Sequence, residues 1–187
     1  MERTFYKNPG RFCAQTCMKI ALKHFFKNKD FSLQNLAKLS YKKKRGDTNS
    51  LGIVFALDKS GLKTKLYTQE INSLRGINKI IHKKLVKKLK NKRLIILKKL
   101  KLSELKTFVT KKYLVIVLLN WKTIKNKNGF QGHYVILNEI GTKKLSVINV
   151  GHAEASANYL ISLKKFNKAR HSKGTDSDVI VIYGKKC

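Results

Sequence analysis

The 187-residue sequence predicts an α+β fold, with N-terminal helices packed on a C-terminal antiparallel sheet. Three observations carry this expectation. Apolar residues recur at helical spacing through residues 14–27, 33–39 and 51–59. The run Leu114-Val115-Ile116-Val117-Leu118-Leu119 is apolar throughout, as in a strand buried on both faces. Strand patterns then return around His133, Asn149 and Val179.

Taken in order, a Pro9-Gly10 turn, holding the chain's one proline, feeds the first helix. Cys17, Ile20, Ala21, His24 and Phe25 share one face of it, which marks a buried central helix. Ser32 is placed to cap a second helix through Leu33, Leu36, Ala37 and Leu39. Residues 42–47 read as a charged loop. Asn49 or Ser50 caps a third helix, Leu51 to Lys59, which stops at Ser60-Gly61. Residues 62–68 alternate as a strand. In the lysine-rich stretch 71–92, Ile77, Ile80, Ile81, Leu85, Val86 and Leu89 form an apolar stripe. A helix docked on the core is expected there, with a membrane-surface helix as the alternative. Leu94 to Leu97 is a short strand, and Ser103 caps a helix through Glu104, Leu105, Phe108 and Val109. Residues 122–129 read as a polar loop. After the His133 and Asn149 strands come a helix over 162–170 and a strand over 179–183.

The composition narrows the functional classes. At 187 residues, one domain spanning 1–187 is expected. No apolar run is long enough for a membrane span, and the N-terminus carries no apolar signal segment, so a cytoplasmic location is expected. Three cysteines exclude a fully paired disulfide framework. Cys13 and Cys17 have a spacing that suits zinc, but no second Cys/His pair follows, so no metal and no cofactor are expected. The charge is extreme: 42 Lys and Arg against 10 Asp and Glu, a net +32. Such a surface favours loose contact with polyanions such as nucleic acid. Arginine, the better residue for base readout, is scarce beside lysine, and aromatics do not interleave with the basic runs.

The chemistry centres on Cys13. A turn delivers it to the start of a helix, where unpartnered N–H groups and the helix dipole favour a thiolate. Such a nucleophile needs a base, and His133 opens a strand after Gly132. Asn149 stands near the end of the next strand. Cys, His and Asn in that order is a known arrangement for thiol acyl transfer. His152 rivals His133. Cys17 reads as packing, while Cys187 is expected in solvent. His24, His82 and His171 read as surface or packing residues, and Asn120 and Trp121 as a wall or core.

Several stretches share an order with one family: Tyr6 through Cys13 to Phe26, Phe31 to Leu39, Asn49 to Leu57 with Gly61-Leu62-Lys63-Thr64, Ser103 to Trp121, Gly132-His133-Tyr134-Val135, and Tyr159 to Phe166. Together they resemble the bacteriocin-processing (double-glycine leader) peptidases, which are papain-like cysteine peptidases. The resemblance implies a papain-like fold and a peptide or protein substrate. It implies Cys13 as nucleophile, His133 as base and Asn149 as the residue that orients it. It also implies a closing helix at 159–166. Three departures stand out. Lys7, with Asn8 beside it, occupies the place of the family's oxyanion Gln; Ala14 replaces a Gly; and Asn149 replaces an Asp. Asn8 or Lys7, with the Cys13 N–H, is therefore expected to hold the oxyanion, and Gln15 is a poorer substitute. The alternative is a catalytically inactive relative that binds RNA, ribosome or another polyanion through the Lys79 to Lys112 region.

Overall fold

A computed structural model describes residues 5–43, 47–71, 77–151 and 154–186. It is an α+β arrangement around one seven-stranded sheet. Helix α1 (Cys13–Phe25) is followed by α2 (Leu33–Leu39) and α3 (Ser50–Lys59). Their N-caps are chemical: Ser32 Oγ accepts from the Asn35 N–H and Asn49 Oδ1 from the Leu51 N–H. Gly52 lets α3 press against the end of α2, because a Cβ there would lie 2.2 Å from the Ser40 carbonyl oxygen. That contact fixes the start of α3, which becomes one wall of the site below.

Strand β1 (Leu62–Thr68), helix α4 (Lys79–Asn91), strand β2 (Ile95–Leu97), helix α5 (Leu102–Phe108) and strand β3 (Leu114–Asn120) come next. Helix α6 (Trp121–Ile124), strands β4 (Gly132–Ile140), β5 (Lys144–Asn149) and β6 (Ser156–Ser162), helix α7 (Leu163–Arg170) and strand β7 (Val179–Lys185) complete the order. In the sheet the strands run β2-β1-β7-β3-β4-β5-β6. Among the described residues only the β1–β2 pair is parallel; the other pairs are antiparallel. So β7, late in the sequence, lies between β1 and β3.

Every residue of β3 is buried, and alternation divides them between two cores. Ile116 and Leu118 join the core under α1, α3 and α4. Val115, Val117 and Leu119 join the core on the other face with Leu105 of α5 and Phe166 and Ala169 of α7. Both sheet faces are therefore covered, as the unbroken apolar run anticipates.

Several details differ from the sequence reading. Helix α4 docks through His82, Leu85 and Leu89, while Ile80 is 68 % exposed and off the stripe. The N-cap of α5 is Lys101, not Ser103; the Glu104 carboxylate accepts the Lys101 N–H and so favours an earlier start. Residues 121–124 form a helical turn where the loop over 122–129 was expected to begin, capped by Asn120 Oδ1. Residues 156–162 are a strand, so the closing helix starts at Leu163, where Ser162 caps it through the Lys165 N–H. Among the described residues, no helix is long and apolar enough to cross a membrane.

Candidate active site

The turn before α1 is held by Asn8. Its N–H donates to the Val150 carbonyl at 3.0 Å, which fixes it to the end of β5. Its Oδ1 accepts from the Gly10 and Phe12 N–H groups, each at 3.0 Å. The amide oxygen is thus engaged, and Nδ2 remains as the donor toward the cleft that Asn8 lines. Lys7 is exposed and does not line this cleft. Gln15 is fully buried and donates to Ser40 Oγ and Thr48 Oγ1, both at 3.0 Å, so it braces α1 against its neighbours and lies away from the cleft.

Cys13 is the first residue of α1, and Phe12 supplies no side-chain cap. Across from it, β4 carries His133. The His133 Nε2 is 2.8 Å from Asn149 Oδ1, which leaves Nδ1 for the hydrogen bond with Cys13 Sγ. Burial opposes charge on the thiol, but the His133 hydrogen bond and positive charge, with N–H groups of Tyr134 and Ala14, outweigh it and lower the Cys13 pKa. Burial likewise opposes the imidazolium, yet the Cys13 and Asn149 contacts raise the His133 pKa. The two shifts favour the same thiolate–imidazolium pair.

Asn149 is fully buried, and its Nδ2 donates to the Glu154 carbonyl at 2.7 Å. The Gly151 N–H donates to its Oδ1 at 2.9 Å. A Cβ on Gly151 would lie 3.0 Å from Asn149 Oδ1 and 3.5 Å from His133 Nε2, so a side chain here would press on the Asn149 amide. Trp121 packs edge-on to the His133 ring, with centroids 4.7 Å apart. Asn120 positions Trp121 by accepting from the Lys122 and Gln131 N–H groups. The sequence reading has these two as a wall or core: Trp121 lines the cleft and Asn120 is buried behind it. Sequence reasoning missed Gly151 and Tyr134. Tyr134 bonds to Ser50 Oγ and the Thr48 carbonyl, and so fastens β4 to the start of α3.

Cys13, His133, Asn149 and Asn8 all line one cleft of about 680 Å³. His152 and Cys187 lie outside the described residues. Cys17 is fully buried, and burial followed by the nearby Cys13 pushes its pKa well up, so it stays a thiol. His82 is buried in the packing under α4, and His171 bonds Ser177 Oγ at 2.8 Å on the far side of the sheet from α1. Among the described residues, no group of three His, Cys, Asp or Glu side chains is placed to hold a metal ion.

Three solved structures share this fold. The peptidase domain of Streptococcus ComA, a bifunctional ABC transporter of a quorum-sensing pathway, superposes with a TM-score of 0.59 at 15 % identity, covering 99 % of this chain and 100 % of that one. A double-glycine-motif protease from an AMS/PCAT transporter, solved with a leader peptide, gives 0.54 at 14 % identity, covering 98 % and 92 %. A C39-like peptidase from Bacillus anthracis gives 0.60 at 10 % identity, covering 98 % and 96 %. At these identities the likeness establishes a papain-like peptidase fold. No curated protein sequence matches the chain. A family model described as guanylylate cyclase matches residues 74–182, a range that includes β3 to β6, His133 and Asn149 but not Cys13. That range is more than half of the sequence, and the chain belongs to the guanylylate cyclase family.

Proposed function

We propose that the chain is a thiol acyl-transfer enzyme, a cysteine peptidase or related amidohydrolase, working through Cys13, His133 and Asn149. The observation that carries this reading is the placement of the His133 ring, with one nitrogen on Cys13 and the other on Asn149. The Cys13 thiolate attacks the substrate carbonyl carbon. The resulting oxyanion is held by Asn8 Nδ2 and the Cys13 N–H. The Nδ1–H of His133 protonates the departing amine, the C–N bond breaks, and a thioester remains. Water then attacks the thioester, giving its proton to Nδ1, and the carboxylic acid leaves as the thiolate re-forms. Asn149 Oδ1 accepts the Nε2–H throughout and keeps the ring aimed at the sulfur.

A peptide substrate is supported by the fold neighbour solved with a leader peptide. The family's description, by contrast, names nucleotide cyclisation. Two measurements separate the two. The native protein is labelled with iodoacetamide across pH, each cysteine is read by mass spectrometry, and His133→Ala serves as control. Cys13 is expected to label at pH values below the ordinary thiol pKa of about 8.5, and to lose this when His133 is removed. A Cys13 that behaves as an ordinary or protected thiol overturns the proposal. So does a cyclic product from GTP whose formation survives Cys13→Ser, since that activity would replace the thiol chemistry.

A further inference from the structure

Lysine is plentiful throughout the chain, yet one segment differs from the rest. Residues 71–103 hold 12 Lys and Arg and no acid, while the remainder holds one acid for every three bases. A general lysine bias gives the second ratio and not the first. Helix α4 lies in this segment, and its fit to the core shows which side of it is left over. His82, Leu85 and Leu89 are buried, and Ile81 and Val86 pack partly buried against the same core. The apolar side of α4 is therefore taken up. Ile80 is its one exposed apolar residue, too little to anchor the helix in a membrane.

On the outer side, Lys79, Lys83, Lys87 and Lys90 are exposed and fall within an arc of about 80°, along about 16 Å of helix axis. None of the four is ion-paired with a described carboxylate. Lysines just beyond the helix are used differently: Lys92 is paired with Asp58, and Lys98 with Glu104. The unpaired row works against the helix that carries it. Lysines four residues apart repel, and Lys79 stands in the first turn, at the positive end of the dipole, with no acid there to offset it. A helix that served only as a cover would lose nothing by carrying glutamate in this row.

The row matches the charge lattice of a duplex. Each strand presents a phosphate every ~3.4 Å of axis, so the four lysines span about five phosphates of one strand. Helix α4 contains no arginine and no Phe, Tyr or Trp. It offers point charges to phosphates, and neither base readout nor a stacking platform. No α4 residue lines the cleft. Strand β2, which follows α4, is the sheet edge four strand spacings, about 19 Å, from β4.

We infer that the outer face of α4 is a docking surface for double-stranded nucleic acid, held through its phosphates without sequence preference. It acts independently of the thiol chemistry in the cleft.

The test measures binding of the native full chain to a short fluorescent DNA duplex of arbitrary sequence across a range of salt. Each phosphate contact contributes about 0.9 to the slope of log affinity against log salt. Lys83→Gln/Lys87→Gln/Lys90→Gln is expected to flatten that slope by about 2 to 3. A control triple at exposed positions on and just after α7, Lys164→Gln/Lys168→Gln/Lys173→Gln, is expected to flatten it by less than about 1. The two variants carry the same net charge, so their difference reports the site and not the field of the whole protein. The α4 variant is expected to melt no lower than the unmodified chain, because it loses repulsion. Each single substitution, expected to remove about 0.9 from the slope, keeps the test where the triple disturbs folding. Equal flattening by both triples, or a slope that neither changes, overturns the inference. So does binding to phosphatidylserine vesicles that the α4 variant abolishes while duplex binding persists.

Discussion

Cys13 and Cys17 stand one turn apart on α1, and both meet the backbone of Tyr134, yet they are opposite kinds of sulfur. The Tyr134 N–H points to Cys13 and stabilises a thiolate. The Tyr134 carbonyl accepts from Cys17 Sγ at 3.5 Å and stabilises a thiol. Burial works against ionisation at both. Only Cys13 has an imidazole to overcome it. Helix position alone therefore does not make a nucleophile. Which end of a peptide group faces the sulfur, and whether a base is beside it, decides the matter.

The largest test of this contrast is removal of each sulfur. Cys13→Ser is expected to lower peptide cleavage by about 10⁵-fold or more, as loss of a triad member does elsewhere, while Cys17→Ala leaves cleavage within a few-fold. Steady-state kinetics on one peptide checks both. Next is reactivity against pH. The lowered Cys13 pKa means the thiolate's stabilisation is present above the ordinary thiol value and is lost as pH falls through the lowered value. The raised His133 pKa means the imidazolium's share is present below the ordinary imidazole value and is lost as pH rises through the raised one. A bell-shaped rate profile follows, with Cys13 setting the acid limb and His133 the alkaline one. At pH 6, Cys13 is expected to alkylate about 10²-fold faster than an ordinary thiol, with Cys17 unlabelled until the protein unfolds.

Smaller effects sharpen the comparison. Gly151→Ala is expected to cost about 10²-fold in turnover by displacing Asn149 from His133, with a narrowed pH profile showing the loss of aim. Cys17→Ala is expected to act on stability alone, about 1 kcal/mol for the small void it leaves. A melting temperature lower by about 2–4 °C would register it.

Much of this was legible in the sequence because it is local. Caps at Ser32 and Asn49 announce helices, and the run at 114–119 announces a strand buried on both faces. The strand at 156–162 was not legible, since Ile161 is its one buried residue and its order comes from backbone pairing to β5. Ser103 has the chemistry of a cap, but Glu104 reaching back to Lys101 moves the boundary. At the site, Cys13, His133 and Asn149 could be nominated from order alone. The proposed use of Asn8 rather than Lys7 could not, because it depends on two N–H groups that turn the Asn8 amide.

The insertion of β7 between β1 and β3 governs how the chain is made. Residues 62–97 and 114–162 can pair among themselves as synthesis proceeds, but they share no ladder until residues 179–185 arrive between them. Until then β1 and β3 each present an open strand edge, the second of them apolar on both faces. A nascent chain arrested ahead of Val179 is therefore expected to be protease-sensitive and to hold a chaperone, and release of that hold is timed by a single strand.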